Sequence, residues 1–464
     1  MKKYILGISL TASLAIAHVS HAETLAEIYQ QAQENDHQFR AAQATLQAAQ
    51  ETKISGRAGL LPQINGAASW QKESTSVSGG SVNSNDTDST VNIYSIELTQ
   101  PLFNMNAWYT YQSAKITTNR SEIEFKIAEE DLITRVAQTY FDALQAVENF
   151  NTSKAEEIAL KQQLERAKQR LEVGLIAITE VHEAQAAFDS ARAERISAEG
   201  AVDIAFDALE VLTGHYYRQL SPLKTDFPVS PPQPAERKQW LDMAQSNNLT
   251  LRAAKLSSKI ERKNLKAAKA NHYPTLDGSL SYTTLNGDSV ANGTFTQDTT
   301  TDTNAISVTL TVPIYNGGSV SSARRVAGQQ AIIARENYLQ TQRSVMQTTR
   351  SLHLTLVTGV ATVNARKQAI ISNQSALKAT QAGYEVGTRD LLDVLTAQRN
   401  LYSAQRDHVT ALYDYVVNSL NLKAAAGILS DKDIVELSAW LESSTPIYRN
   451  LIDTDVIPDT RAIK

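Results

Sequence analysis

The sequence repeats itself, and the repetition limits the architectures open to this chain more than any other feature does. Leu61-Pro62-Gln63-Ile64-Asn65-Gly66 returns as Tyr273-Pro274-Thr275-Leu276-Asp277-Gly278, an offset of 212. At the same offset Arg40-Ala41-Ala42 matches Arg252-Ala253-Ala254, and Leu98-Thr99, Pro101 and Asn104 match Leu310-Thr311, Pro313 and Asn316. Further on the offset is 213: Glu172-Val173-Gly174 matches Glu385-Val386-Gly387, and Leu209 and Gly214 match Leu422 and Gly427. A single net insertion across some 190 residues argues against chance. The expected division is a first repeat at 23–215, a proline-rich linker at 216–236, a second repeat at 237–428 and a C-terminal tail at 429–464.

Both repeats follow one internal order. An amphipathic helical segment comes first, over 24–58 and 237–271. A β-hairpin follows, over about 60–103 and about 273–315, and its strands show period two: Ile306, Val308, Leu310 and Val312 alternate with Ser307, Thr309 and Thr311. Such alternation marks a strand with one apolar and one polar face. Between the strands lie runs of Ser, Thr, Asn, Asp and Gly, read as polar loops from Ser74 to Thr90 and from Asn286 to Asn304. After each hairpin proline disappears and apolar residues recur every three or four positions, as in Val136, Tyr140, Leu144 and Val147. That is helix of near-heptad character. Val173-Gly174 and Val386-Gly387 interrupt it once per repeat, so 104–215 and 316–428 are expected to be long helical hairpins with glycine tips. An arm from 104 to 172 would reach roughly 100 Å at the α-helical rise. Pro62, Pro101, Pro274 and Pro313 sit where helix should meet strand, as suits a residue that cannot continue a helix.

Residues 1–22 read as a secretory leader: Lys2 and Lys3 precede an apolar run from Ile5 to Ala17, and small residues Ser20 and Ala22 frame a cleavage point before Glu23. Without it the chain carries a formal charge of −7, which argues against a nucleic-acid partner. No apolar stretch beyond the leader is long enough for a membrane helix, so entry into a bilayer would require a β-barrel. Cysteine is absent, and no two of the remaining histidines stand at metal-ligand spacing. No motif frames a nucleophilic serine or a phosphate loop. The expectation is a non-enzyme without cofactor or metal.

Four strands cannot close a membrane barrel, and open edges would leave backbone groups unpaired in lipid. The chain is therefore expected to oligomerise, and three copies would supply twelve strands. Helices of such length cannot lie in the bilayer and must project from it. Two other assemblies satisfy part of the pattern: a trimeric coiled-coil surface or adhesive protein anchored by a β-barrel, and a soluble periplasmic helical scaffold.

Val173-Gly174-Leu175-Ile176-Ala177-Ile178-Thr179-Glu180-Val181, Gly383-Tyr384-Glu385-Val386-Gly387-Thr388-Arg389, Pro313-Ile314-Tyr315-Asn316-Gly317-Gly318 and Leu212-Thr213-Gly214-His215-Tyr216-Tyr217 together resemble the outer-membrane factor family, in its TolC-type branch, over about 24–440. The resemblance implies a mostly α fold with a β-barrel portion: a homotrimer with a twelve-stranded outer-membrane β-barrel continued by a twelve-helix periplasmic α-barrel. It also implies an exit duct for multidrug efflux and type I protein secretion. The implied partners are outer-membrane lipid, a periplasmic adaptor and an inner-membrane transporter.

The same resemblance assigns roles at the tips. Val173, Gly174, Leu175, Val386, Gly387 and Thr388 match adaptor-contact positions, although glycine in a plain hairpin turn would give the same pattern. Thr179, Glu180, Tyr384 and Arg389 match a latch between hairpins, with Glu180 standing where the family has aspartate; solvated helix polarity is the plainer reading. Asp393 matches the first of two acidic aperture positions, whereas the second is occupied by Thr396. Asp390, one turn nearer the tip, either supplies the missing carboxylate or caps the helix.

Overall fold

The computed structural model describes residues 23–77, 85–291 and 294–449. The leader assigned to 1–22 and the tail from 450 to 464 lie outside these residues. The first helical segment is two helices, α1 (Leu25–Asn35) and α2 (His37–Ala58), rather than the continuous one expected. Asp36 makes the break. Its backbone is extended, and its carboxylate accepts the Phe39 N–H at 2.6 Å, opening α2 with a side-chain cap. The second repeat does the same: Asn248 ends α5 (Arg237–Asn247) and caps α6 (Leu249–Ala270) by accepting the Leu251 N–H at 2.9 Å. Asp36 and Asn248 are separated by the duplication offset, so the kink belongs to both halves.

The strands β1 (Gln63–Val77), β2 (Asn85–Phe103), β4 (Thr275–Ala291) and β5 (Thr294–Thr311) form one antiparallel sheet in the order β1-β2-β4-β5. Its register puts like beside like. Ile64, Leu98, Leu280 and Ile306 form one row across all four strands, and the next row is Gln63, Thr99, Ser279 and Ser307. One face is thus apolar and the other polar, with the Ser279 and Ser307 hydroxyls 2.8 Å apart. Trp70, Ile96 and Ile306 are exposed on the apolar face. The strands lie within the expected hairpins but take up most of the expected loops: Ser74–Val77 and Asn85–Thr90, and most of Asn286–Asn304, are strand rather than loop. Strands of 15 to 19 residues outrun the roughly ten needed to cross a bilayer, so their far ends have no apolar face to betray them in the sequence. Residues 78–84 of the first expected loop lie outside the described residues. Pro62 and Pro274 stand just before strands and Pro313 just after one, whereas Pro101 lies within β2, where the register shifts before Phe103.

Below the sheet run α3 (Met105–Glu172) and α7 (Ser319–Glu385), of 68 and 67 residues, each about 100 Å long. They return as the shorter α4 (Ile178–Thr213) and α8 (Leu391–Ala426). No helix among the described residues is long and apolar enough to cross a membrane. The main core gathers midway along the helices, where Tyr140, Phe141, Phe206, Leu209 and Leu422 are fully buried. There the linker and tail meet. The strand β3 (Gln219–Leu220) pairs with β6 (Ile447–Tyr448), and α9 (Asp431–Ser438) packs on α1 and α3. Arg449 holds the tail down through Asp203 and Asp207 at 2.8 and 2.9 Å.

The α1–α2 break is fixed to the core by an ion pair, in which Arg135 donates to both carboxylate oxygens of Asp36 at 3.0 and 3.2 Å. Burial alone would raise the Asp36 carboxyl. The Arg135 hydrogen bonds, the Phe39 N–H and the guanidinium charge overcome it, and the net shift is downward. A depressed carboxyl stabilises the fold fully above its unfolded value and loses that contribution as the pH falls through the folded value. Asp36→Asn, which keeps a capping oxygen but removes the charge, is expected to cost about 2 kcal/mol at neutral pH. The gap from the unchanged protein should close as the pH falls below the ordinary aspartate range, as read by loss of helical circular dichroism on heating across a pH series.

Candidate functional site at the hairpin tips

Each long hairpin turns through a glycine. After α3, Gly174 adopts φ +72°, the Gly174 N–H donates to the Leu171 carbonyl and the Leu175 N–H to the Arg170 carbonyl, both at 2.9 Å. After α7, Gly387 adopts φ +80° and the Thr388 N–H donates to the Gly383 carbonyl at 2.9 Å. A Cβ at either glycine would meet no atom within 4 Å, so glycine is required by the left-handed backbone and not by crowding. Closing the carbonyls in this way leaves the apolar side chains at the turn outside: Val173, Leu175 and Val386 are about two-thirds to three-quarters exposed. Thr388 folds back onto the Gly383 carbonyl through its hydroxyl at 3.1 Å.

Behind the turns, a small core ties the two hairpins together. Leu391 and Leu395 of α8 insert among Leu160, Leu164 and Ala167 of α3 and Ala184, Ala187 and Ala191 of α4. Alanine on α4 is what lets the helices close so tightly. Tyr384 packs at the edge of this cluster. Its hydroxyl donates to Glu180 Oε2 at 3.4 Å, and the Arg170 guanidinium lies 4.6 Å from its ring centroid. Burial raises the Tyr384 phenol above its ordinary value, with the Arg170 charge opposing and Glu180 adding to the rise. The phenol therefore stays a neutral donor at any physiological pH.

Of the four residues matched to a latch, the structure brings two together across the hairpins, Tyr384 and Glu180. Thr179 is exposed and has no partner among the described residues. Arg389 turns along its own helix instead, with Nη1 3.3 Å from Asp393 Oδ2. It lies against Gly383, where a Cβ would come within 2.8 Å of Arg389 Cγ. Asp390 is the N-cap of α8: its Oδ1 accepts the Asp393 N–H at 2.8 Å. Thr396 is exposed one turn further on. Arg170 is a residue that sequence reasoning missed. Its partner is more than two hundred positions away, and no spacing along α3 marks one arginine among several as the one that meets an aromatic ring.

Between α3, α7 and α8, directly behind the tip, is a cavity of about 800 Å³ lined by Arg166, Arg170, Tyr384, Gln398 and Tyr402 among others. Among the described residues, no group of histidine, aspartate or glutamate is placed to hold a metal ion. Leu391 is 1% exposed, so Leu391→Ala is expected to loosen the cluster by about 2–5 kcal/mol. Hydrogen exchange should quicken at residues 173–178 and 386–390 while the core around Tyr140 keeps its protection.

Comparison with known proteins supplies the context for this geometry. The profile of the outer membrane efflux protein family matches twice, over residues 28–215 and 240–428. The outer membrane protein TolC of Vibrio cholerae is 35% identical over 453 residues, covering 95% of this chain and 99% of the relative. That of Escherichia coli K12 is 33% identical, covering 99% and 92%. The protease secretion protein PrtF of Dickeya chrysanthemi is 29% identical, covering 96% and 97%. Among solved structures, CusC superposes with a TM-score of 0.74 at 18% identity, covering 87% of this chain and 92% of that one.

Proposed function

Because the chain belongs to the outer membrane efflux protein family, we propose that three copies assemble into one outer-membrane conduit that works with an inner-membrane pump and a periplasmic adaptor. The protein is an outer-membrane exit duct for efflux and type I secretion, as its TolC, PrtF and AprF relatives indicate. It is a channel protein of the outer membrane with a helical periplasmic portion. The family and the fold neighbours are channels, not enzymes. The surface-adhesin alternative is not favoured by any of these relatives.

The observation that carries the trimer is the sheet. Its outer strands β1 and β5 leave long edges unpaired, and its apolar face is exposed along all four strands. In lipid those edges must find partners. Joining β5 of one copy to β1 of the next supplies them, and three copies give twelve strands, within the range of closed membrane barrels. The helices follow the same order, α2 beside α3 beside α6 beside α7, so closing the sheet also closes a helical tube. Detergent extracts are expected to contain a trimer that dissociates on heating. A stable monomer with an intact barrel signal would contradict this.

We assign the contacts to an adaptor to the exposed apolar tips at Val173, Leu175 and Val386. We assign the latch to Tyr384 with Glu180 and Arg170. A hydrogen bond of 3.4 Å and a half-buried cation–π contact are weak singly, about 1 kcal/mol each. Tyr384→Phe combined with Arg170→Ala should therefore raise conductance in planar bilayers more than either change alone. Conductance that stays at the starting level in the double variant would remove these residues from the gate.

Threefold symmetry multiplies Asp393 into a ring of three carboxylates, which favours cations in a narrow neck. Asp393→Asn should lower cation preference, as measured by reversal potentials in asymmetric salt. Because the Asp390 carboxylate is turned onto the start of α8, Asp390→Asn should change selectivity less than Asp393→Asn. A large loss of cation preference in Asp390→Asn would instead make it the second aperture carboxylate.

A further inference from the structure

The long helices carry a cluster of cations that the conduit function does not use. Between α6 and α7 is a cleft of about 750 Å³. Lys255, Lys259 and Arg262 approach it from α6, and Arg325 and Arg335 from α7. All five are exposed, and none takes part in an ion pair among the described residues. The floor is apolar, formed by Leu265, Ile332 and Leu339. A second cavity, between α3 and α6, shares Lys255 and Lys259 and adds Lys126 and Arg252. Glu122 is the acidic side chain on the lining of either cavity among the described residues. Seven cations against one carboxylate, arranged around apolar walls, complement an anion that carries hydrocarbon.

Two observations place this surface. The first is which side of the wall it occupies. Helix α3 meets α2 through Ala107, Ala114 and Thr118, and meets α6 through Asn106, Ser113 and Arg120. At 100° per residue these two faces are about 120° apart, so the wall bends at α3. Asn119, Glu122 and Lys126, which line the second cavity, lie in the wide arc opposite, on the convex side. A wall that closes into a tube turns its convex side outward.

The second observation is depth. Arg262 is eight residues before the end of α6 and Arg325 six residues after the start of α7, so both lie about 10 Å beneath the helix–strand junction. Above them the exposed Trp108 and the ring of Tyr109, with Lys266 Nζ 5.8 Å from its centroid, mark the level where aromatic side chains meet lipid headgroups. The upper cations are within reach of headgroup phosphates of the periplasmic leaflet.

We infer that the α6–α7 cleft is a binding site for an anionic phospholipid of the periplasmic leaflet: its phosphate sits between Arg262 and Arg325, and its glycerol backbone rests on Leu265, on the membrane side of that pair. Lys259, one turn deeper on α6, faces the polar end of the headgroup, and Lys255 and Arg335 extend the positive charge below it. The site rests on the outer-membrane placement of the sheet, and it gives each protomer a lipid contact outside the conduit.

The test uses the full-length protein as it assembles in detergent. Native mass spectrometry is recorded after titration with dioleoylphosphatidylglycerol or dioleoylphosphatidylcholine, with conductance measured on the same preparations. The unchanged protein should retain phosphatidylglycerol roughly tenfold over phosphatidylcholine, a preference that salt weakens. The triple change Lys259→Ala, Arg262→Ala and Arg335→Ala should abolish the preference. Lys259→Arg with Arg262→Lys, and the distant Arg350→Ala, should keep it. Equal retention of the two lipids, or an unaltered preference in the triple variant, would overturn the site. Displacement of the lipid by inorganic phosphate would reduce it to a simple anion site, and charge-dependent binding to isolated peptidoglycan in place of lipid would assign the cleft to a glycan. Conductance reports separately on the conduit, so failure of the lipid site leaves that reading intact.

Discussion

A backbone N–H or C=O in hydrocarbon has no water to turn to, and most of this architecture answers to that requirement. Four strands per chain leave β1 and β5 with unpaired edges. The row from Ile64 through Leu98 and Leu280 to Ile306 gives the sheet a face that water disfavours. Neither problem can be solved within one chain. Repetition is the remedy: the duplication doubles a two-stranded hairpin that is too small to stand alone, and in the proposed trimer rotational assembly repeats it until the sheet meets itself. The helices inherit the consequence. Since each hairpin's strands continue into α3 and α7 or receive α2 and α6, the order of strands dictates the order of helices.

Helices about 100 Å long bury little per turn, which explains where the cores are. Helices laid side by side in a single layer expose two faces, so they touch mainly at their flanks, through Ala114 against Gly56 or Thr118 against the Ala49 carbonyl. A true core forms midway, where the linker, the tail and α1 add a second layer over Tyr140, Phe141 and Phe206. There Gly427 ends α8 at φ +70° with its missing Cβ less than 3 Å from the Asn247 backbone, so the close of one hairpin is wedged against the opening of the second repeat. The cluster at the tip is smaller and built largely of alanine and leucine. Firmness at the middle and thin packing at the tip give the chain a fixed girdle and an end that can open at lower cost.

The features legible in the sequence were those with a period. Alternation revealed the strands, near-heptad spacing and the absence of proline revealed α3 and α7, and the offset revealed the halves. Features without a period stayed hidden. The breaks at Asp36 and Asn248 are single residues in otherwise helical segments, though their shared offset was a signal that could have found them. The strand ends beyond the bilayer, such as Asn85–Thr90, are polar on both faces and read as loop. Pairing of β3 with β6 joins residues more than two hundred positions apart through two-residue strands, too short for any pattern. At the tip, the glycines and Tyr384 could be matched to a family, but the stacking of Arg170 on Tyr384 and the turn of Arg389 toward Asp393 depend on side-chain directions that no spacing encodes.

That turn of Arg389 bears on the charge at the proposed aperture. Its contact with Asp393 is between side chains that are 60% and 43% exposed, at 3.3 Å, and a pair so solvated contributes little to holding the arginine in place. The arginine can therefore exchange Asp393 for another acceptor at small cost. Gly383 makes the exchange sterically selective: without a Cβ, it admits the Arg389 stem against α7 in this arrangement. While the contact lasts, the guanidinium offsets the charge of the carboxylate that would line the neck. When the arginine leaves, the carboxylate is uncovered. Asp390 turns its Oδ1 onto the Asp393 N–H at the start of α8, and it is Asp393 that Arg389 meets. In the proposed gate, the position of one arginine therefore sets how much of the Asp393 charge is covered.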